Sequence, residues 1–248
     1  MKLAAVLACR NQSSRLYAKP LQRLHVERGI TILEHLVGQL SARSELSDIV
    51  LAISQEEENR IYVRWAEDHD LPYVLGDDRD VLARLIAGAD LVDADHVFRV
   101  TSESPFPYIE DLPVVLRQHE EVGADYSGTM GLPDGAYYEI IRLDALKRSW
   151  NEGEERHRSE LCTLFISEHP DRFVIERHDV PLELRRTDVR LTVDWPEDLI
   201  VMRGVYEGLG LSPEEPHSLE RIVGFLDEHP RLNAVNNWID SGHGRVWY

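Results

Sequence analysis

The sequence predicts an α/β protein: a mostly parallel sheet flanked by helices, running on into a less regular second half. Three observations lead there. Unbroken apolar runs of strand length recur, the form taken by strands buried on both faces. Between them lie longer segments whose apolar residues fall at helical spacing. The two kinds alternate four times in roughly the first hundred residues of a 248-residue chain, the pattern of crossover units that build a parallel sheet.

The first run, "LAAVLAC" (3–9), reads as a buried strand. A polar loop follows, then "TILEHLVGQLSAR", a helix by its spacing, with Thr31 and Glu34 fitting a capping box. "DIVLAIS" (48–54) is a second buried strand, and "EEENRIYVRWAEDHD" (56–70) a helix with acids in its first turn, where the helix dipole favours them. "PYVLG" (72–76) is a third strand, "RDVLARLIAGADLV" a third helix and "HVFRVTS" (96–102) a fourth strand. Beyond these, "YYEIIRL" (137–143) and "VRLTV" (189–193) read as strands, and "SELCTLFISEH" (159–169) and "PEDLIVMRGVYEGL" (196–209) as helices. A last amphipathic helix, "SLERIVGFLDEH" (218–229), follows the turn-rich "GLSPEEPH". No repeat, low-complexity tract or linker interrupts the chain. One domain over 1–248 is the economical expectation, with an irregular subregion at 130–180 and a C-terminal helix and tail at 211–248.

Composition narrows the function classes. With 43% hydrophobic and 29% charged residues the chain reads as soluble and globular. No apolar run approaches the roughly 20 residues that span a bilayer, so no membrane partner is expected. The apolar opening is short and runs straight into "RNQSSR"; it reads as a strand rather than a leader, which points to the cytoplasm. Cys9 and Cys162 lack metal or redox spacing, and eleven His are scattered without ligand spacing. A formal charge of -18 argues against nucleic-acid binding, which needs a basic face.

Against that charge the start of the chain stands out. From Met1 to Val26 there are five cations (Lys2, Arg10, Arg15, Lys19 and Arg23) and no acid. The loop "CRNQSSRLYAKPL" places Arg10, Arg15 and Lys19 just beyond the first strand. In open parallel sheets ligands bind beyond the carboxyl ends of strands, and "SESP" (102–105) falls on the same edge after the fourth strand. Small and polar residues there, Asn11, Gln12, Ser13 and Ser14, let backbone N–H groups converge on an anion. The loop is neither a P-loop nor a G-x-G-x-x-G turn.

The pattern R-x-x-S-x-R-L-x-x-K-x-L resembles the nucleotide-binding loop of the sugar-nucleotide cytidylyltransferases, most nearly their spore-coat-polysaccharide branch. The likeness continues in order along nearly the whole chain. "GDDRDVLARL" (76–85) resembles an acidic segment ending in D-V-L-x-R, and "RVTSESP" (99–105) stands where the family has a strand and G-D-x-P. "LPDGAYYEII" (132–141), "HRSELCTLFISEHPDRF" (157–173), "VRLTVDWPEDL" (189–199) and "FLDEHPRLNAVN" (225–236) resemble its later segments. Three departures stand out: Gln12 and Ala18 occupy usual glycine positions, Glu103 stands for an Asp that usually ligates metal, and Leu161 stands for a common His.

The resemblance implies a Rossmann-like nucleotidyltransferase fold, Mg²⁺, and transfer of CMP from CTP to an anionic small-molecule acceptor with release of pyrophosphate. Arg15 and Lys19 would hold the β- and γ-phosphates, and Glu103 and Asp194 the metal. It adds Asp80, Arg84 and Thr101 to the nucleotide side; Asp134, Glu139, Arg158 and Glu160 to the acceptor side; and 130–180 as an acceptor or homodimer subregion. Other readings stand beside these. Asp194 before "WPED" suits an N-cap with Pro near N1, Asp80 suits another, and Arg84 suits a surface helix cation. Glu139 suits an outward strand residue, Asp134 with Gly135 a turn, and Trp150, Trp195 and Trp238 packing. A nucleotide-sugar glycosyltransferase is the rival enzyme class, though no D-x-D follows the fourth strand. A catalytically weakened nucleotide-binding homologue is the other alternative, and Glu103 is what favours it.

Overall fold

A computed structural model describes residues 1–239; the rest of the 211–248 tail lies outside the described residues. The sheet is built by β1 (Leu3–Cys9), β4 (Asp48–Ser54), β5 (Tyr73–Gly76), β6 (His96–Arg99), β7 (Tyr126–Met130), β8 (Glu139–Arg142) and β9 (Ile175–Asp179). Their spatial order is β5-β4-β1-β6-β8-β7-β9. β1 pairs in parallel with β4 (Val6 opposite Val50) and with β6 (Ala4 opposite Val97), and β4 with β5. Only β8 runs against its neighbours, pairing antiparallel with β6 and β7, while β7 and β9 are again parallel. A hairpin of β2 (Arg23–His25) and β3 (Ile30–Thr31) stands apart.

The unbroken apolar β1 is explained by its two covered faces. Leu3, Ala5, Leu7 and Cys9 join one core with residues of α1 (Ile32–Ser41), α2 (Arg60–Asp68) and α4 (Leu112–Val122). Ala4 and Val6 join another with α3 (Val81–Leu91), α5 (Leu143–Glu152) and α6 (Leu164–Glu168). A third core packs α7 (Pro196–Gly208) and α8 (Leu219–Glu228) against Leu24, Ile30 and Ile32. The short α9 (Pro230–Asn233) follows. The capping box of α1 forms: Glu34 N donates to Thr31 Oγ1 at 3.1 Å, and Thr31 N to Glu34 Oε2 at 3.3 Å.

Two expected elements differ. "VRLTV" forms no ladder, only a single parallel bridge between Asp134 and Arg190. Its N–H groups go to two separate partners, Leu191 N to Asp134 O (2.7 Å) and Val193 N to Glu103 O (3.1 Å). The segment therefore stitches two loops together. The expected helix at 159–169 is cut to α6, preceded by a 3-10 turn at Glu155–Arg158. Side chains claim carbonyls in the turn and just beyond it: Ser159 Oγ donates to Arg156 O, and Arg99 Nη2 to Glu160 O, at 2.9 and 2.8 Å.

Candidate active site

A cleft of about 520 Å³ opens beyond the carboxyl ends of β1 and β6. The loop after β1 forms one wall, and its neck is fixed from below. Asn11 N donates to Asn59 Oδ1 (2.8 Å), Asn11 Nδ2 to Glu58 O (2.6 Å), and Ala18 N closes the loop onto Asn11 O (2.8 Å). Asn11 is thus a buried anchor, while Arg10, Gln12, Ser13, Ser14, Arg15 and Lys19 line the cleft. Ala18, one of the positions where glycine was expected, sits in the left-handed region at φ 50. The opposite wall is the turn after β6, tied to β1 by Ser102 Oγ donating to Ala8 O at 2.7 Å. Thr101 and Glu103 face the cleft from it.

Asp194 is the electrostatic centre. Lys19 Nζ and Arg15 Nη2 both reach its Oδ1, at 2.6 and 2.8 Å, and Arg190 Nη2 holds its Oδ2 at 2.8 Å. Burial pushes this carboxyl up, but Lys19, Arg15 and Arg190 together hold it below its ordinary value. Asp194 is not the helix cap that Pro196 suggested. Asp198, fully buried, does that work: its Oδ2 accepts from the N–H groups of Asp194 and Trp195, each at 2.9 Å. Glu103 lies alongside through the Val193–Glu103 bond. Desolvation raises its carboxyl, Lys19 opposes that, and the nearby Asp194 charge adds to it.

The deeper part of the cleft runs under α3. Arg84, for which a surface helix cation was the alternative to a nucleotide contact, is 2% exposed there; its Nη1 donates to Ala52 O at 2.8 Å. Glu139 is likewise buried rather than outward: it pairs with Arg99 and accepts from Thr163 Oγ1 at 2.9 Å. Glu160 pairs with Arg10 at the rim. Asp134 pairs with Arg190, and Gly135 turns beside it at φ +88, where an added Cβ would meet Thr192 N at 2.3 Å. Only glycine lets that turn approach so closely.

Besides Asn11, two candidates fall outside the cleft lining. Asp80 caps α3 through Ala83 N (2.8 Å) and accepts from the Trp150 indole (2.8 Å); Arg158 lies over the same Trp150 ring at 4.7 Å. Trp195 and Trp238 are not packed, being 40% and 70% exposed, and Arg15 stands over Trp195 at 5.7 Å. Sequence reasoning missed Arg99, Arg190 and Asp198. For the last two the available signal was the i, i+4 series Arg190, Asp194, Asp198.

Among the described residues no group of three or more His, Cys, Asp or Glu is arranged to hold a metal ion. The donor set does suit Mg²⁺, which takes one or two carboxylates and completes its shell with water and phosphate oxygens. Glu103 and Asp194 supply two hard carboxylates, and among the described residues no ion pair claims Glu103.

Comparison with known proteins fits this geometry. The family model described as Cytidylyltransferase matches residues 4–229. The spore coat polysaccharide biosynthesis protein SpsF of Bacillus subtilis is 26% identical over 227 residues, covering 91% of this chain and 94% of its own. The solved structure of a cytidylyltransferase from Leptospira borgpetersenii superposes with a TM-score of 0.83 at 18% identity, covering 94% of this chain and 96% of that one. A CMP-2-keto-3-deoxy-manno-octonic acid synthetase solved with CTP gives a TM-score of 0.64 at 15% identity, with 85% and 100% covered.

Proposed function

The chain belongs to the cytidylyltransferase family, and we propose that it transfers CMP from CTP to an anionic small molecule, a sugar acid, phosphonate or phosphorylated metabolite, with release of pyrophosphate. One observation carries the reading. Lys19 and Arg15, on a loop beyond a parallel strand, meet Asp194 across a cleft that Glu103 also lines. SpsF is named for polysaccharide biosynthesis and the octonic acid synthetase was solved with CTP, which supports the donor and the product class.

In this reading an acceptor oxygen attacks the α-phosphorus of CTP. A P–O bond forms as the α–β bridging bond breaks, and the electron pair leaves with pyrophosphate. Such transfers need positioning and charge neutralisation rather than a covalent nucleophile. Lys19 and Arg15 pass from Asp194 to the β- and γ-phosphate oxygens and offset the charge that accumulates there. Glu103 and Asp194 would hold Mg²⁺, which would add Lewis-acid neutralisation of the leaving pyrophosphate. Arg84 and Thr101 flank the nucleotide, while Asp134, Glu139 and Glu160 bound the acceptor end.

Two further proposals concern context. Among the described residues no helix is long and apolar enough to cross a membrane, and Cys9 and Cys162 are buried free thiols, in keeping with a reducing cytoplasm. A homodimer through 130–180 is supported by β9, whose outer edge pairs with no strand among the described residues; light scattering should give twice the chain mass.

The deciding experiment incubates the protein and Mg²⁺ with each of four nucleoside triphosphates and pooled sugar acids, sugar phosphates and phosphonates. Pyrophosphate release from CTP with at least one pool is the expected result. Triphosphate binding without release from any pair would favour the weakened homologue, the reading that Glu103 keeps open.

A further inference from the structure

We propose that Arg190 is a positioning residue for the triphosphate site, acting through Asp194 without touching the nucleotide; the proposal rests on reading this cleft as a nucleotide site. Arg190 is 5% exposed, and its guanidinium serves three carboxylates. Nε donates to Asp198 Oδ1 at 2.9 Å, Nη2 to Asp194 Oδ2 at 2.8 Å, and Nη1 pairs with Asp134. Asp198 is fixed in turn by Asn236 Nδ2 at 2.9 Å and by the two N–H groups it accepts. The guanidinium is therefore held from behind and cannot follow a ligand.

The two oxygens of Asp194 are divided between unlike partners. Oδ2 belongs to the anchored Arg190, whereas Oδ1 is shared by Lys19 and Arg15 on the loop. A triphosphate that enters the cleft draws the loop cations onto its own oxygens, and Oδ1 loses both. Asp194 would then be a largely buried carboxylate beside a polyanion. Such a charge is tolerable only if a cation stays with it. With no metal bound, Arg190 is the cation that stays, so it lowers the cost of releasing Lys19 and Arg15. Without it Asp194 holds them back and the triphosphate binds more weakly.

A merely structural Arg190 would lower stability and leave the affinity of the folded protein unchanged. The test is calorimetry with inorganic tripolyphosphate, and in parallel with CTP, in EDTA. Arg190→Lys, which replaces the fork by a single point donor, should weaken tripolyphosphate binding about tenfold. In the Asp194→Asn background the same substitution should change affinity less than about twofold, because the charge it shields is gone. Unchanged affinity in Arg190→Lys, or the full loss in both backgrounds, overturns the proposal. If Arg190→Lys does not fold by circular dichroism, Arg190→Gln with Asp198→Asn removes one charge of each sign and takes its place against Arg190→Gln with Asp198→Asn and Asp194→Asn. Tripolyphosphate binding with no CTP binding in either EDTA or Mg²⁺ would defeat the CTP reading and leave this inference standing; no tripolyphosphate binding by the unaltered protein would defeat the inference itself.

Discussion

Lys19 and Arg15 reach the same oxygen of Asp194 but from different surroundings, with side chains 13% and 42% exposed. The less solvated cation makes the stronger charge-assisted contact, since water screens the other. Lys19→Ala should therefore weaken CTP binding by roughly ten- to a hundredfold, and Arg15→Ala by about tenfold or less, with the fold intact. Calorimetry checks both, and unchanged affinity in the two variants would remove the loop from the site. Lys19→Arg should also impair turnover, because a planar fork replaces a compact ammonium. Asp194→Asn should abolish pyrophosphate release while the protein still melts cooperatively, since the helix cap belongs to Asp198. Full turnover at saturating Mg²⁺ would return Asp194 to a structural role. Glu103→Gln should behave alike, whereas Glu103→Asp keeps a carboxylate there and should stay measurably active. The loop cations and Glu103 were legible because they follow the buried strands β1 and β6, whereas Asp194 was placed by a strand, "VRLTV", that does not form. Arg190 was not: an Arg inside "VRLTV" looks like an outward strand residue until Asp134, Asp194 and Asp198 converge on it.

At the level of elements, legibility followed burial. β1 and β4 match their apolar runs residue for residue, at Leu3–Cys9 and Asp48–Ser54, because both faces are covered. β7 and β9 were missed because "YSGTM" and "IERHD" carry no such run, and their pairing comes from tertiary contact. α4 and α5 were also unread. Backbone conformation was the least visible feature, and it supplies a prediction. Ala18 holds the loop in a left-handed conformation that a Cβ disfavours by about 1 kcal/mol. Ala18→Gly should raise stability by up to about that amount, less the entropy glycine adds to the unfolded chain. Gly135→Ala is the converse, because its Cβ would meet the backbone of Leu191 and Thr192 at 2.3–2.7 Å. It should cost at least about 2 kcal/mol and loosen the Asp134 turn. Urea unfolding of the two variants measures both, and a neutral Gly135→Ala would show that the turn can open freely.

Across the whole molecule, buried imidazoles tie stability to pH; four of them shift far, and His178 is lowered by burial as well. Burial lowers His35 to about 3 and His96, His119 and His217 to about 4. They occur as two touching pairs: His35 and His217 stack at 5.6 Å against Phe106, and His96 meets His119 edge-on at 4.9 Å near Arg142. In each pair a second charge would repel the first. The ordinary value for an unfolded His is about 6.5. Between that and about 4 the unfolded chain binds protons that the folded chain refuses, so stability falls as pH falls through this window. At pH 5 the loss is on the order of 2 kcal/mol for each imidazole. The buried acids act the other way. Burial raises Asp111 to about 6 and lifts Glu103 and Glu110, so the folded state takes those protons first, Asp111 adding stability as pH falls below about 6. Among these acids only Asp111 moves as far as the imidazoles do, so four losses of this size outweigh the gains, and the net loss is a large part of a total stability of about 5–15 kcal/mol. Urea midpoints should therefore fall clearly between pH 7 and pH 5. His96→Gln, which cannot charge, should flatten that slope by about one proton even if it lowers stability at pH 7. A midpoint that holds steady or rises on acidification would mean that the imidazoles take up protons in the folded state, and that the two pairs are solvated rather than sealed in the core.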